Sequence, residues 1–463
     1  MKKIGRYVIL GLLGRGGMSR VYQVRHDETA KIFALKLLSP NLHLETLLGR
    51  QAIETRFVAE AQIMQRLNHA NIVKCHDFGR HQGQPYLVMD YHCQNLGEAI
   101  GETYRYEDPS RPLTVERVIR YTRHTLAGLA CLHEHGVIHC DIKPYNLLLA
   151  RDETVKIADF GLSRLRGEVF PGRPQLIVGS PYYAAPEQEK DPNGADARSD
   201  LYSVGVLFHR MLTGWLPRDD QTRMILPSSR NPDLGANWDA FVDKATATDK
   251  KERHQTAGDM LQELDRLNRE WEDGIREYCS VNSPPIFANH SAKMLGKRLR
   301  RAALKIPYGR ARQELQLDEF WRPTKFVKND FQENGDGTIF DQATQLTWQQ
   351  SGSPEPLSWR AAHRYIQDLN RKGFAGITHW RLPTIEELKS ILSPPPQKDD
   401  YCLEPFFERS QKWLWSCDRC SFTAAWYVSV EQGYVARQDF TCQLFVRATS
   451  SPEDNRPTSG KGL

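Results

Sequence analysis

Residues 7–13, 19–25 and 31–37 are short, apolar-rich stretches of strand length, which predict β-strands. The pattern then changes to helical spacing. Residues 56–67 and 115–135 carry apolar side chains at helical spacing, and Leu147-Leu148-Leu149 is long enough only for one more strand. Strands first and helices afterwards predict an α+β layout for residues 1–270. From Trp271 the pattern weakens, and residues 271–324 read as a linker. Beyond it tryptophan becomes dense: Trp321, Trp348, Trp359, Trp380, Trp413, Trp415 and Trp426 follow, against Trp215, Trp238 and Trp271 before. A differently built domain is expected over residues 325–449. There residues 359–370 and 384–392 predict helices, the second with Thr384 as cap and Glu387 in the capping-box position. Residues 425–430, 434–437 and 444–447 predict strands. Residues 450–463 hold almost no apolar side chains and are expected to form a disordered tail.

Composition narrows the function classes. At roughly 100 to 200 residues per domain, 463 residues predict two to four domains. A chain 40% hydrophobic and 26% charged folds rather than staying disordered. Lys and Arg total 62 against 57 Asp and Glu, a net charge of +5, too mild to demand nucleic acid or anionic lipid as the main partner. The longest apolar runs, residues 7–13 and 202–208, fall far short of the ~18 residues that span a bilayer. The opening Met-Lys-Lys-Ile-Gly-Arg lacks the apolar stretch of a secretory signal. Nine cysteines, scattered and odd in number, read as reduced thiols. The expected compartment is the cytoplasm.

Four segments carry chemistry. Gly14, Gly16 and Gly17 lie between Leu12-Leu13 and Val21-Tyr22, so a glycine-rich turn joins two strands and can fold over phosphates. Phe33-Ala34-Leu35-Lys36 ends a strand with a lysine at an otherwise apolar position, where snorkelling to solvent is the plain alternative. Glu60, in the helix whose apolar side holds Phe57, Ile63 and Leu67, offers that lysine a charge partner. Ile138-His139-Cys140-Asp141-Ile142-Lys143-Pro144-Tyr145-Asn146 sets an acid, a cation and an amide in one loop. Asp141 could accept the proton of an attacking hydroxyl, Lys143 could neutralise a moving phosphoryl group and Asn146 could ligate a metal. Val155-Lys156-Ile157-Ala158-Asp159-Phe160-Gly161 puts a carboxylate past a short strand, suited to Mg²⁺. Any one of these acids alone reads as a loop or cap residue. Together they do not.

With these motifs in order and at family spacing, residues 1–270 resemble a bacterial Hanks-type serine/threonine protein kinase. The resemblance implies a bilobal fold, with ATP between a small sheet-rich lobe and a larger helical one. It implies nucleotide contacts from Leu13, Gly14, Gly16, Gly17, Val21, Ala34, Lys36, Met89 as gatekeeper, Asp90 and His92, with Glu60 pairing Lys36. It implies Asp141 as catalytic base, Lys143 as the mark of serine/threonine specificity, and Asn146 and Asp159 as holders of Mg²⁺ or, in its place, Mn²⁺. Phe160 and Gly161 open the activation segment, which Ala185-Pro186-Glu187 closes. Glu187 is expected to pair with Arg253, Asp200 to brace the catalytic-loop backbone and Ser180 to hydrogen-bond that loop.

Two departures matter. Ser19 stands at the third glycine of the phosphate loop, a tolerable change. Cys140 stands where the family usually has the arginine that gathers a phosphorylated activation loop, and residues 164–179 contain no Ser, Thr or Tyr. Receptor and acceptor are missing together, so activity is expected not to switch by phosphorylation of that loop.

Residues 293–312 carry Lys293, Lys297, Arg298, Arg300, Arg301, Lys305, Arg310 and Arg312 and no acid. Leu295, Leu299 and Ala302 or Ala303 recur at helical spacing, a pattern open to membrane, nucleic acid or an acidic patch, with a solvated linker helix the plainer reading. Asn334-Gly335-Asp336-Gly337-Thr338 signals a hairpin turn. A calcium loop would need an acid at Gln332 and a glutamate at Ala343. The segments Asp336-Gly-Thr-Ile-Phe-Asp, His379-Trp-Arg-Leu-Pro-Thr-Ile-Glu-Glu-Leu, Trp413-Leu-Trp-Ser and Phe445-Val-Arg resemble the Lcl carboxy-terminal family of C-type-lectin-like domains. That implies a smaller α+β recognition domain with a variable ligand surface around residues 421–440, where Trp426, Tyr427 and Tyr434 could serve or be core. Cys402, Cys417, Cys420 and Cys442 could hold zinc, pack half-buried or act as a redox pair.

The sequence therefore reads as a protein serine/threonine kinase using ATP and Mg²⁺ on protein substrates, regulated or targeted by its carboxy-terminal domain. The alternative is a nucleotide-binding pseudokinase scaffold whose last domain binds a ligand or partner. A third option makes the last domain the selector of what is modified.

Overall fold

The computed structural model describes residues 2–102, 108–160, 164–165, 182–219, 223–231, 234–281, 299–394 and 402–452. The chain divides into two compact units, residues 1–285 and 286–463. The first opens with β1 (Lys3–Ile4), β2 (Tyr7–Arg15), β3 (Ser19–His26) and β4 (Ile32–Leu38), followed by α1 (Leu42–Leu48), α2 (Arg50–Arg66), β5 (Cys75–His81) and β6 (Gln84–Asp90). The six strands form one antiparallel sheet in the order β1-β2-β3-β4-β6-β5. Side chains of a strand alternate between faces. Phe33 and Leu35 of β4 thus join Ile4, Tyr7, Val24, Tyr86 and Val88 on one face. Ala34 and Leu38 join the opposite core, which includes α2, and Lys36 lies between them in sequence parity. On α2 the buried positions are Ile53, Phe57, Glu60, Ala61 and Met64, one stripe at intervals of three and four. Glu60 sits in that stripe, facing the sheet.

A helical part follows. α3 (Leu96–Ile100) and α4 (Val115–Glu134) precede α5 (Pro186–Lys190), α6 (Ala197–Thr213), α7 (Pro227–Arg230), α8 (Ala236–Ala245) and α9 (Ala257–Val281). α6 is buried on every side from Ser199 to Thr213. Phe208 of α6 stacks on Trp238 at 5.9 Å and meets Phe241 at 4.9 Å, which ties α8 to the same core. Between α4 and α5 lie β8 (Val137–Ile138), β9 (Leu147–Leu149), β10 (Val155–Ile157) and β11 (Arg164–Leu165), and β7 (Gln94–Asn95) precedes α3. The sheet β10-β9-β7 and the pair β11-β8 hold the loops that follow β8 and β10. Among the described residues, no helix is long and apolar enough to cross a membrane.

The second unit has a four-stranded sheet containing Phe331–Glu333, Thr338–Asp341, Leu346–Gln349 and Thr449–Ser450, and a three-stranded sheet of Trp413–Arg419, Ala424–Ser429 and Tyr434–Asp439. Its helices are Tyr308–Glu314, Trp359–Lys372 and Ile385–Ser390. The turn at residues 334–338 joins two antiparallel strands, with Gly335 and Gly337 at φ 76° and 84°, values glycine adopts without strain. The Asp336 carboxylate accepts from the backbone N–H and hydroxyl of Thr338 at 3.0 and 2.6 Å, a turn rather than a calcium loop. Thr384 and Glu387 form the expected capping box.

Two expectations need correction, and one open alternative is decided. The linker helix around residues 295–303 falls partly outside the described residues, and from 299 to 307 the chain is not helical. Arg300 instead donates twice to Asp418 at 2.9 and 2.7 Å, and its carbonyl accepts from the Thr384 hydroxyl. Asp418 also takes the backbone N–H of Leu304 and of Ile385. A helix would withdraw those groups. Residues 444–447 form strand only at Gln443–Leu444, because Arg447 turns into the core and donates to the carbonyl oxygens of Gln349, Gln350 and Glu408. Of the two fates open to Trp426, Tyr427 and Tyr434, the core reading holds: all three are buried, and every residue of Ala424–Ser429 is enclosed. Residues 453–463 of the expected tail lie outside the described residues.

Asp418 is fully buried and serves four donors. Asp418→Ala is expected to cost about 3–5 kcal/mol, the loss typical of breaking a buried ion pair. Urea denaturation of the purified chain checks this, and a loss under about 1 kcal/mol would contradict it.

Candidate active site

The parity of β4 and the stripe of α2 bring Lys36 and Glu60 together. Lys36 Nζ lies 2.6 Å from Glu60 Oε1 and 2.8 Å from Asp159 Oδ1, with the ring of Phe57 beneath it at 5.9 Å. Lys36 and Glu60 are 6% and 4% exposed, so the lysine does not snorkel. Burial alone would depress the ammonium, but the Asp159 and Glu60 carboxylates outweigh it and hold it above its usual range. Burial pushes the Glu60 carboxyl up against the pull of Lys36. The Lys36 charge holds the Asp159 carboxyl down at about 2.

β9 and β10 are antiparallel neighbours with Leu147 opposite Ile157, and the Ala158 N–H donates to the Asn146 carbonyl at 2.9 Å. That register sets the loop after β8 beside Asp159. Within the loop Asp141 Oδ2 accepts from Lys143 Nζ at 2.8 Å and from Asn146 Nδ2 at 2.9 Å. The Asn146 amide also donates to the Asp141 carbonyl, leaving its carbonyl oxygen as its acceptor group. An amide oxygen and an ionised, half-exposed carboxylate (side chain 52% exposed) form the hard-oxygen donor set that Mg²⁺ takes. The residues present therefore fit the cation, with Mn²⁺ accepted by the same oxygens.

The loop after β8 is braced from α6. Asp200 accepts from the backbone N–H of His139 at 2.9 Å and of Cys140 at 2.8 Å, and from His133 Nε2 at 2.8 Å. Arg253 is bidentate on Glu187, at 2.8 Å twice, with the Ser199 hydroxyl at 2.7 Å. Sequence reasoning missed His133 and the His139 ring, whose Nε2 lies 3.2 Å from the Ala158 carbonyl and whose plane meets Phe160 at 5.4 Å. Four residues before the strand, a histidine on a helix's last turn carried no signal of its own.

The remaining predicted residues fall around this core. Val21 stands opposite Lys36 and Ala34 opposite Met89 in the sheet register. Leu13, Gly14, Gly16 and Gly17 form the exposed end of the β2–β3 hairpin, closed by the Gly16 N–H on the Ser19 carbonyl at 2.9 Å. Asp90 binds His76 at 2.6 Å, and burial lowers the pKa of the His92 imidazole. Gly161, Ser163 and Ser180 lie outside the described residues. Cys140 is buried with Ile138 and Ala195 at φ 64°.

The four-cysteine zinc option fails on geometry. Among the described residues, no three His, Cys, Asp or Glu side chains converge to hold a metal. Cys402 points at the Glu431 carbonyl. Burial pushes the Cys417 thiol up to about 12, which disfavours the thiolate a metal needs.

The family model described as protein kinase domain matches residues 7–268, and that described as Lcl C-terminal domain matches residues 337–450. A probable serine/threonine-protein kinase PknB of Lactococcus lactis is 32% identical over 272 residues, covering 56% of this chain and 41% of that protein. Serine/threonine-protein kinase PksC of Streptomyces coelicolor is 35% identical over 282 residues, 57% of this chain and 49% of that protein. Serine/threonine-protein kinase PknB of Mycobacterium tuberculosis is 32% identical over 284 residues, 57% and 43% respectively. The chain spans less than half the length of these curated relatives.

Because the Asp159 carboxyl lies at about 2 in the folded chain against 3.8 ordinarily, its ionised form stabilises the fold above about pH 4. That contribution is lost as pH falls toward about 2. Asp159→Asn is expected to flatten the decline of melting temperature between about pH 5 and about pH 3. An unchanged slope in a calorimetric pH series would count against the Lys36–Asp159 pairing.

Proposed function

Since this chain belongs to the protein kinase family, we propose that residues 1–270 transfer the γ-phosphoryl group of ATP to serine and threonine hydroxyls of proteins. One observation carries the proposal: Lys36 joined to both Glu60 and Asp159, with Asp141, Lys143 and Asn146 bonded to one another on the adjoining loop. Phosphoryl transfer asks little covalent chemistry of a protein and much positioning and charge. Lys36 is held protonated for the α- and β-phosphates, and the glycine hairpin at residues 14–17 covers them. Asp141 orients the substrate hydroxyl and takes its proton. Lys143, hydrogen-bonded to the same carboxylate, offsets charge on the moving group. Asn146 and Asp159 would hold Mg²⁺, which when bound supplies charge neutralisation of the phosphate oxygens.

Control by loop phosphorylation is not part of this proposal. Cys140 places a small buried thiol where a phosphate-binding cation would be needed, and residues 164–179 offer no hydroxyl. Regulation or targeting would fall to the second unit, with a lectin-like architecture. Its recognition surface would centre on the turn at residues 421–423, where Phe422 is 81% exposed beside Lys305 Nζ at 3.6 Å from its ring.

Asp141→Asn is expected to lower turnover roughly 10²- to 10⁴-fold with nucleotide binding retained, measured by radiolabel transfer and nucleotide titration beside Asp159→Ala. Nucleotide binding without any transfer by the parent chain would favour the scaffold alternative. Phosphatase treatment is expected to leave activity unchanged, and strong activation by phosphate on Ser163 or Ser180 would refute the account of Cys140.

A further inference from the structure

Asp141 can act only if the peptide that carries it is held still, and that peptide begins at Cys140, whose φ of 64° is unfavourable for a residue with a Cβ. Something must hold it there. On its amino side the Cys140 N–H donates to Asp200 Oδ1 at 2.8 Å. On its carboxyl side the Cys140 carbonyl accepts from Gln188 Nε2 at 3.0 Å. The other end of the same amide, Gln188 Oε1, accepts the Ala185 N–H at 3.1 Å. Gln188 is 1% exposed, so neither bond is exchangeable for water without loss. It belongs to α5, one residue after Glu187, which the buried Arg253 guanidinium pins twice.

We propose that Gln188 is a positioning residue for phosphoryl transfer, clamping the Cys140 carbonyl to the start of α5 and so fixing Asp141 without a phosphorylated loop. Here the Cys140 side chain packs into the small cluster with Ile138 and Ala195 and reaches no phosphate. The neutral amide of Gln188 grips the backbone carbonyl of that same residue. Order passes from Arg253 through Glu187 and α5 to the catalytic loop by side chains alone, with no charge that a phosphatase could remove. The inference rests on the kinase activity proposed above, and its test separates the two.

The full chain and two variants, Gln188→Met and Gln188→Glu, are compared for transfer of labelled phosphate to a histone mixture and for amide hydrogen exchange. Gln188→Met keeps the volume and removes both bonds. Its kcat should fall roughly tenfold to a hundredfold, the scale of a misplaced reacting group, while KM for ATP stays within about twofold, since Lys36 and the glycine hairpin are untouched. Exchange should quicken in the peptide covering residues 138–146 and stay unchanged in residues 257–268 of α9. Gln188→Glu keeps the acceptor and loses the donor. As pH falls and the introduced carboxyl gains a proton, its O–H can donate to the Cys140 carbonyl, so activity relative to the parent should recover on the acid side. A kcat for Gln188→Met equal to the parent's, unchanged exchange at residues 138–146, or a flat ratio against pH for Gln188→Glu each overturns the clamp. Should the parent itself transfer no phosphate, the activity falls, and the exchange measurement still decides the positioning role.

Discussion

An ammonium group almost wholly removed from water is the constraint on which the first unit is organised. Lys36 would be severely destabilising if left unpaired in that setting. Two carboxylates from different elements answer it, Glu60 from α2 and Asp159 from the segment after β10. Satisfying one charge therefore fixes a helix against a sheet and draws the loop after β10 up to both. The register of β9 with β10 carries Asn146 along, and Asn146 in turn orients Asp141. A single electrostatic debt is thus settled by the same groups that phosphoryl transfer would use.

How much of this was legible beforehand depends on whether the signal was local. The strands at residues 7–13, 19–25 and 31–37 were readable because a strand-length, apolar-rich stretch is a property of neighbours in sequence. So was the Lys36–Glu60 pair, since parity in a strand and a stripe on a helix both point side chains from sequence alone. The sign and placement of Asp200 and Arg253 came only through the family resemblance, since no periodicity marks a carboxylate that binds backbone sixty residues away. Gln188 escaped notice for the opposite reason: it is uncharged, sits in a five-residue helix, and acquires meaning only when the Cys140 carbonyl is seen in front of it.

The second unit was harder to read for related physical causes. The two helices expected at residues 359–370 and 384–392 and the hairpin turn have strong local chemistry, including a capping box and two glycines at positive φ, and these were visible. The basic stretch at its start was not. Spacing of leucines and alanines mimicked an amphipathic helix, yet Asp418 competes for Arg300 and for the Leu304 N–H, and a long-range ion pair with backbone support overrides weak local propensity. The cysteines misled through count alone. Four cysteines in one domain suggest a metal until their surroundings are known; here Cys442 is disulfide-bonded, against the expectation of reduced thiols, and burial holds the Cys417 thiol protonated.

The reach of Asp418 has a bearing on how the carboxy-terminal half should be dissected. The family model begins at residue 337, but Tyr308 and Trp321 stack upon Trp426 at 6.3 and 6.0 Å, and the Trp426 indole donates to the Ile306 carbonyl. A fragment cloned from residue 337 would strip the lid from a tryptophan and the counter-ion from a carboxylate in one cut. The smallest self-sufficient piece must start before Arg300, so the homology boundary and the physical boundary differ by nearly forty positions.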